Sequence, residues 1–433
     1  MLNLIKNLIL ITFLYSISYQ VLAIRAPNLD LPKATSIKGE ESKTYEIDCW
    51  EASLYDQDGD GYAEQDTNIS LRETKSVPFS EKFTCPIGWV LKRGDCNDND
   101  SDVHPRSIEI ADNGIDDNCN GKKDEPQIIY NYNGLNNKNY SFDLKVKLNN
   151  SEMRSLVLTK KSLFSQFSLT HLPKKYLSYE IEYQKLSDST TEPLVTNKRA
   201  ITNSSSYYLK LSLNNLDPTT VYRAKVRFYQ TSTSINGTIK YSPIGEETDW
   251  YYTTTDGDNE LSNIRTKILL KGFYEYYLSE FLGYVGYLGV TYIDGTRYGG
   301  EKGEAWCSEF YSWTVNTQLS SIGHIANVAD MITYFTGFNL LEEDNLDSVP
   351  GYLQDGEDLR GDYLAINGTT HSAMLLTYDA VLGEYWTLDG NSTGTNVMAK
   401  SDRQLRQGGS EVMVRNREVS AVTGWGRLSA DLK

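Results

Sequence analysis

The pattern of hydrophobic and polar positions changes along the chain, and each change predicts a different kind of structure. Between residues 127 and 255, short stretches of alternating apolar and polar residues are separated by Asn, Ser and Thr. The stretch VYRAKVRFY at 221–229 shows this period of two, which predicts a strand covered on one side. Several such strands at this spacing predict an antiparallel β-sandwich over residues 127–255.

Helical spacing replaces the alternation in the C-terminal part. The stretch ELSNIRTKILLKGFYEYYLSEFLG at 260–283 has an apolar stripe, which predicts a helix facing a core. GEAWCSEFYSWTVN at 303–316 has similar spacing and places Cys307 in the first turn of a second buried helix. TTDGDNE at 254–260 follows the last alternating stretch and predicts a linker.

Strand patterns return near the C-terminus. GDYLAINGTTHSAMLLTYD at 361–379 predicts a strand, a hairpin turn and a second strand that begins at His371. YWTLDGNSTG at 385–394 predicts the next strand, which we expect to pair antiparallel with the strand of His371.

The first 23 residues have the features of a secretory signal peptide. MLNLIKNLILITFLYSISYQVLA combines a lysine, an apolar run and a small residue at Ala23. An uncleaved anchor is the alternative. After a predicted linker at 24–44, no segment has 18 consecutive apolar residues, so we expect no stable membrane insertion. The mature protein would be secreted, into a periplasm or outside the cell.

The charge balance limits the possible partners. The chain has 58 Asp and Glu against 42 Lys and Arg, for a formal net charge of −16. Such an excess of negative charge argues against binding to nucleic acid or to an anionic membrane surface. It suits a protein that holds cations.

Four of the five cysteines fall within residues 49–119, and in an oxidising compartment they would pair. Three connectivities are possible. We favour Cys49–Cys85 and Cys96–Cys119, because each pair encloses one loop-rich stretch. Cys307 is then left over, and it is either an inert buried residue, a partner in an intermolecular bond or a working thiol.

The segment 45–126 has three loops with Asp and Asn at alternating positions and Gly at the bend, at 56–62, 94–100 and 112–125. Oxygen side chains at every second position suit a hard cation, and Gly permits the tight turn. Solvated turns are the alternative. The first loop has Thr67 where a complete EF-hand has Glu. We predict a structural Ca²⁺ module with these ligands: Asp56, Asp58, Asp60, Asp95, Asn97, Asn99, Asp116, Asn118, Asn120 and Asp124. In the second loop, Asp98 or Asp100 is an alternative ligand.

Two segments resemble known families. The stretch from Asp95 to Glu125 resembles the MopE-type metal-binding repeats of secreted bacterial proteins. Its single histidine, His104, is expected at the surface. LDPTTVY at 216–222 resembles the signature of fibronectin type III domains, and the resemblance implies that Tyr222 forms a tyrosine corner. We expect the sandwich to be a spacer. Binding of a protein partner along an exposed edge is the alternative.

The C-terminal pattern brings a thiol and a base into one predicted domain. A cysteine on a helix, a histidine on a strand and a polar residue behind the histidine form a papain-like arrangement. Asp389 and Asn391 are two apart, hence on one face of a regular strand, and either could orient His371.

The region from about 270 to 430 resembles the CHAP domain, a cysteine, histidine-dependent amidohydrolase/peptidase. The matching motifs are WCSEFYSW around Cys307, the GD pair at 361–362 before His371, and LDGN at 388–391. The resemblance implies that Cys307 is the nucleophile and His371 the general base. The family often has Glu at the third position, where this chain has Asp389, followed by Asn391.

The predicted protein is therefore multidomain. A small module stapled by disulfides and calcium (45–126) precedes an all-β fibronectin type III-like sandwich (127–255) and an α+β papain-like domain (256–433). The CHAP resemblance implies cleavage of amide bonds, mostly in peptidoglycan, as an amidase or endopeptidase, with no cofactor for catalysis. The alternatives are a non-catalytic, calcium-stabilised adhesion protein and a thiol amidase or protease with a non-wall substrate.

Overall fold

Most of the regular structure in the protein is β-sheet, arranged as several sheets with few helices. A computed structural model describes residues 44–67, 69–78, 85–90, 92–105, 107–130, 137–159, 175–203, 207–234, 236–280, 295–299, 306–337, 341–342, 357–392, 411–429 and 432. The predicted signal peptide and the predicted linker up to residue 43 lie outside them. Among the residues described, no helix is long and apolar enough to cross a membrane.

The N-terminal part is a small module of short strands. Its elements are β1 (Thr44–Glu51), α1 (Ala52–Tyr55), β2 (Tyr62–Glu64), β3 (Glu73–Pro78), β4 (Trp89–Val90) and β5 (Lys92–Asp95). Strand β1 pairs antiparallel with β3 and β4, while β2 pairs parallel with β5. Disulfides join Cys49 to Cys85 and Cys96 to Cys119, so the favoured connectivity is confirmed. They stabilise a module whose own apolar cluster is small.

The middle part contains two larger antiparallel sheets and one short parallel pair, Leu158–Thr159 with Thr202–Asn203. Its elements are β6 (Gln127–Ile128), β7 (Ser141–Lys147), α2 (Ser151–Ser155), β8 (Leu158–Thr159), β9 (Lys175–Lys185), β10 (Leu194–Val195), β11 (Arg199–Ala200), β12 (Thr202–Asn203), β13 (Tyr208–Asn214), β14 (Val221–Thr233), β15 (Ile239–Pro243) and β16 (Tyr251–Thr254). One sheet has the order β13-β7-β6. The other has the order β10-β9-β14-β15, with β11 also on β9 and β16 also on β14.

The alternation in β14 is confirmed, because Tyr222, Ala224, Val226 and Phe228 are buried. They share one hydrophobic core with the buried residues of β7 and β13. The hydroxyl of Tyr222 accepts a hydrogen bond from the backbone N–H of Asp217 at 2.9 Å. This is the contact expected of a tyrosine corner.

The C-terminal part packs helices on one antiparallel sheet. Its elements are α3 (Glu260–Glu280), α4 (Cys307–Asn316), α5 (Val328–Gly337), β17 (Leu341–Glu342), β18 (Tyr363–Ile366), β19 (His371–Asp379), β20 (Glu384–Ser392), β21 (Glu411–Glu418) and β22 (Val422–Gly426). The sheet order is β17-β22-β18-β19-β20-β21. The predicted helix at 260–283 is confirmed as far as Glu280, and β19 and β20 pair antiparallel as expected.

The segment 254–260, expected to be a linker, is held firmly between the middle and C-terminal parts. Thr254 and Thr255 are buried, and the carbonyl oxygen of Thr255 accepts a hydrogen bond from Arg360 at 2.6 Å.

The GD pair at 361–362 has a structural role in the C-terminal part. Buried Asp362 accepts hydrogen bonds from Arg265 of α3 at 2.6 Å and from the indole N–H of Trp425 at 3.1 Å. It thereby ties α3 to the sheet.

Candidate functional site

A single unpaired cysteine stands at the start of a buried helix, as its spacing predicted. Cys307 is the first residue of α4, is 4% exposed and forms no disulfide. Aromatic rings surround the first turn: the ring centroid of Tyr298 lies 5.0 Å from that of Trp306 and 5.3 Å from that of Phe310. The helix start is therefore fixed by packing as well as by its backbone.

The LDGN motif contains a glycine, Gly390, because helix α4 packs directly against this position of β20. A Cβ atom at this position would lie 2.5 Å from the Cβ of Phe310 and 2.8 Å from the ring of Trp306. Any side chain would push α4 away from β20, because packed interiors have no spare volume for an extra methyl group. The glycine thus allows the helix that carries Cys307 to approach the strand that carries Asp389.

Two serines link the first turn of α4 to β19. The Oγ atoms of Ser308 and Ser372 lie 2.7 Å apart, and the hydroxyl of Tyr363 lies 3.1 Å from Ser372 Oγ. All three residues are buried. Because Ser308 follows Cys307 and Ser372 follows His371, these hydrogen bonds set the spacing of the cysteine and the histidine.

His371 and Asp389 are direct neighbours. Nε2 of His371 lies 3.1 Å from Oδ2 of Asp389, whose side chain is fully buried. Oδ2 of Asp389 also accepts a hydrogen bond from Arg417 of β21. Because Asp389 engages Nε2, the other ring nitrogen of His371 is left for the thiol of Cys307.

Burial and hydrogen bonding have opposite effects on the pKa of the Cys307 thiol. Burial raises its pKa, but the hydrogen bond and charge of His371 lower it, as do the backbone N–H groups of Ser372 and Ser308. The lowering effects are larger together, so the pKa of Cys307 lies below that of an ordinary thiol. The position of Cys307 at the start of α4 acts in the same direction, because the first turn of a helix favours the thiolate.

Arg417 is a site residue that the sequence did not indicate. It pairs across the sheet with Tyr385, and its side chain runs past Thr387, where Nε donates to Oγ1 at 3.3 Å, to reach Asp389. Burial lowers the pKa of Arg417 to about 10, still well above neutral, so the guanidinium stays charged beside the carboxylate. No local pattern distinguishes it from Arg415, since only the strand register reveals its partner.

The second candidate for orienting His371, Asn391, has a backbone in β20, but its side chain lies outside the described residues. The pairing of β20 with β21 is irregular between Asp389 and Ser392. The alternation that would place Asp389 and Asn391 on one face is therefore interrupted at this point.

The structure brings the first two Asp-rich loops together. Oxygens of Asp56, Asp58 and Asp98 lie within 4.8 Å of one another, and so do oxygens of Asp58, Asp60 and Asp95. Burial, with the charges of neighbouring aspartates, raises the pKa of Asp60 to about 8 and that of Asp95 to about 6. These groups fit a hard cation, because buried carboxylate oxygens need a donor or a positive charge.

The third loop is completed by glutamates that were not among the predicted ligands. Asn118 and Asn120 each donate to Oε1 of Glu125 at 3.0 Å, and Asp116 accepts from the N–H of Gly121 at 2.7 Å. The other oxygen of Glu125 and one oxygen of Glu109 are buried without a hydrogen-bond partner. These atoms also fit a cation bound by this loop.

Some of the predicted metal ligands form other hydrogen bonds or are exposed to solvent. Asp124 accepts hydrogen bonds from the backbone of Asn113 at 3.1 Å and of Gly114 at 3.2 Å. Asn97 and Asn99 are exposed, whereas Asp98 between them is buried in the acidic cluster.

The expectation that His104 lies at the surface is wrong. It is buried and its ring stacks on that of Tyr62, with centroids 5.2 Å apart.

The sequence comparisons agree with the predicted metal loops. Residues 95–125 match the family model Cu-binding MopE, described as "Putative metal-binding motif". The module therefore contains a metal-binding motif, while the identity of the metal is not shown. No curated protein sequence matches the chain.

Among solved structures, the chain is similar to the sensor domain of the anti-sigma factor RsgI4 from Pseudobacteroides cellulosolvens. The identity is 10%, the match covers 30% of this chain and 92% of that chain, and the TM-score is 0.16. A score this low is not evidence of a shared fold.

Proposed function

We propose that the protein is a secreted thiol hydrolase that cleaves amide bonds, with Cys307 as the nucleophile and His371 as the base. One observation carries the proposal: the His371 ring hydrogen-bonds the buried carboxylate of Asp389, and its hydrogen bond and charge lower the pKa of the Cys307 thiol. A cysteine kept only for packing needs no such partners. The CHAP resemblance of the motifs around Cys307, His371 and Asp389 agrees with this arrangement.

The reaction follows from the arrangement. His371 takes the thiol proton, and the Cys307 thiolate attacks the carbonyl carbon of the amide. Backbone N–H groups at the start of α4 are available to the developing oxyanion, because the first turn of a helix leaves its N–H groups without intrahelical acceptors. His371 then protonates the amine nitrogen as the C–N bond breaks. Water, deprotonated by His371, cleaves the thioester and regenerates the thiol.

Asp389 and Arg417 support this pair. The carboxylate of Asp389 fixes the ring orientation of His371 and stabilises the imidazolium. Arg417 in turn fixes Asp389, so we assign it as a positioning residue. The positive charge of Arg417 also interacts favourably with the Cys307 thiolate. A buried carboxylate held by two cationic partners is better suited to this task than an isolated one.

The proposed substrate is peptidoglycan, on the strength of the CHAP resemblance. Purified sacculi should be incubated with the full chain, and the new termini identified by mass spectrometry. An amidase would release the N-terminus of L-alanine from the sugar, whereas an endopeptidase would create termini within the stem or cross-bridge peptides. We expect Cys307→Ala and His371→Ala to abolish release. His324→Ala, at a half-exposed histidine of the same part, should retain it.

The outcomes separate the alternatives. Release that persists at the wild-type rate in Cys307→Ala would exclude the thiol mechanism. An intact sacculus combined with Cys307-dependent hydrolysis of other peptides would point to a non-wall substrate. Failure on every amide substrate would favour a non-catalytic adhesion protein.

We propose that the metal of the N-terminal module is calcium and that its role is structural. The donors are carboxylate and amide oxygens, which Ca²⁺ prefers, whereas copper prefers nitrogen and sulfur. The residues that would hold it, among them Asp58, Asp60 and Asp95, have buried oxygens without hydrogen-bond donors. Together with the disulfides, the proposed site suits an exported protein.

A further inference from the structure

The acidic cluster of the first two loops contains one aspartate, Asp56, whose two oxygens both accept backbone N–H groups, from Gly59 at 2.8 Å and from Gly61 at 3.2 Å. The other four aspartates each accept a backbone N–H through Oδ1. The donors are the N–H groups of Asp60 at 3.2 Å from Asp58, of Tyr62 at 2.7 Å from Asp60, of Asn97 at 2.8 Å from Asp95 and of Gln57 at 2.8 Å from Asp98. In each, Oδ2 is buried without a hydrogen-bond partner.

Burial makes this pattern informative. Asp95 is fully buried and Asp98 is 5% exposed, so water does not replace the missing donors. An unpaired buried carboxylate oxygen is costly, and such atoms are found where an ion is bound. The backbone hydrogen bonds to Oδ1 fix the orientation of each carboxylate.

The geometry defines two groups of ligands. Calcium binds oxygens at about 2.3–2.6 Å, so two ligands of one ion lie at most about 5 Å apart. Asp56, Asp58 and Asp98 meet this condition, and Asp58, Asp60 and Asp95 meet it separately. Asp58 belongs to both groups, and a carboxylate with two oxygens is able to bridge two ions.

Charge also favours two ions. The two groups together contain five carboxylates. One divalent cation would leave an excess of three negative charges in a partly buried site, whereas two would leave one. Uncompensated buried charge is strongly unfavourable, so the second ion has a clear electrostatic role.

We propose that this cluster binds two divalent cations of the calcium class, with Asp58 as the shared ligand. Asp56, Asp58 and Asp60 lie outside the matched residues 95–125, so the pair of ions would fasten the motif to an earlier loop of the chain. The inference rests on the proposal that this module binds calcium, and it adds the stoichiometry and the bridging residue.

Calcium stoichiometry measured by native mass spectrometry on the full chain tests it. After chelator treatment and titration with CaCl₂, Asp60→Asn and Asp98→Asn should each bind one ion fewer than the wild type, and Asp58→Asn two fewer. Asparagine keeps the Oδ1 acceptor and the volume of aspartate. Asp102→Asn, an exposed acidic residue of the same module, is the matched control and should lose none.

If Asp58→Asn loses the same single ion as Asp60→Asn, the two-ion inference is overturned. If the wild type binds no calcium at millimolar concentration, the calcium proposal itself fails. Because variants are able to misfold, crystals of the wild-type protein grown with CaCl₂ provide a second test. Two anomalous peaks flanking Asp58 would support the inference, and a single peak would overturn it.

Discussion

At the scale of single residues, the thiol site depends on which atom of each side chain is engaged. The carboxylate of Asp389 contacts Nε2 of His371, so the other ring nitrogen is available to Cys307. Arg417, on the neighbouring strand, forms an ion pair with the carboxylate of Asp389. The sequence predicted the first three residues by type and spacing. It did not predict Arg417, because its contact follows from strand register alone.

The first prediction concerns the ionisation of Cys307. Since His371 and Arg417 favour the thiolate, iodoacetamide should alkylate native Cys307 with a pH midpoint below the ordinary thiol value of about 8.5. Removing a positive charge disfavours the thiolate, so Arg417→Met should move the midpoint up, and Arg417→Lys should largely restore it. Arg415→Met is the matched control and should leave it unchanged. A wild-type midpoint at or above 8.5 would contradict the assignment.

The second prediction separates the two candidates for orienting His371. Because Asp389 contacts the ring directly, Asp389→Ala should lower the rate of hydrolysis by about 10⁴-fold, by analogy with the serine-protease triad. Asn391→Ala should have a smaller effect. Turnover numbers from single-substrate kinetics provide the measurement. A nearly normal Asp389→Ala enzyme with an inactive Asn391→Ala enzyme would reverse the assignment and leave the Cys–His pair intact.

At the scale of elements, the site is formed where the start of α4 meets β19 and β20. Gly390 permits this approach, and the hydrogen-bonded hydroxyls of Ser308 and Ser372 fix it. Helix and strands were each predicted by their periodicity. Their separation at the contact is set by the volumes of the side chains between them.

The third prediction concerns that contact. Gly390→Ala places a methyl group against Phe310 and Trp306, and overpacking of this kind typically costs about 1–3 kcal/mol of unfolding free energy. The displaced helix should also lower the rate of Cys307-dependent hydrolysis. Denaturant unfolding and kinetics measure the two effects. As a control, Gly368→Ala lies in an open hairpin turn, where only the positive φ of 73° opposes it. Full activity and stability in Gly390→Ala would refute the packing argument.

At the scale of the whole molecule, the metal module is joined to the rest of the described chain. Lys122 forms an ion pair with Asp249 at 3.0 Å, and the side chain of Asn149 donates to the carbonyl oxygen of Glu125 at 2.8 Å. The middle part contacts the C-terminal sheet through Ser189, which donates to Asp379. Folding of the metal loops is therefore coupled to the neighbouring strands.

The fourth prediction follows from this coupling. Because calcium binds the folded module, it should stabilise the full chain by about 2.7 kcal/mol when its concentration is 100 times the dissociation constant. Calorimetry with and without chelator should show a higher Tm for the transition of the calcium-loaded protein. Mg²⁺ at the same concentration is the control for ionic strength and should be less effective. An unchanged Tm would exclude a structural role for calcium.

The sequence by itself determined the strands of the middle part, the helices at Glu260 and Cys307 and the residue types of the thiol site. These features rest on local periodicity and on chemistry that each residue carries wherever it lies. Tertiary structure alone decided that Arg417 reaches Asp389, that Glu125 rather than Asp124 lies beside Asn118 and Asn120, and that the loops of Asp58 and Asp95 share one cluster. Each of these contacts depends on strand register or on the approach of distant segments, for which a linear pattern contains no signal.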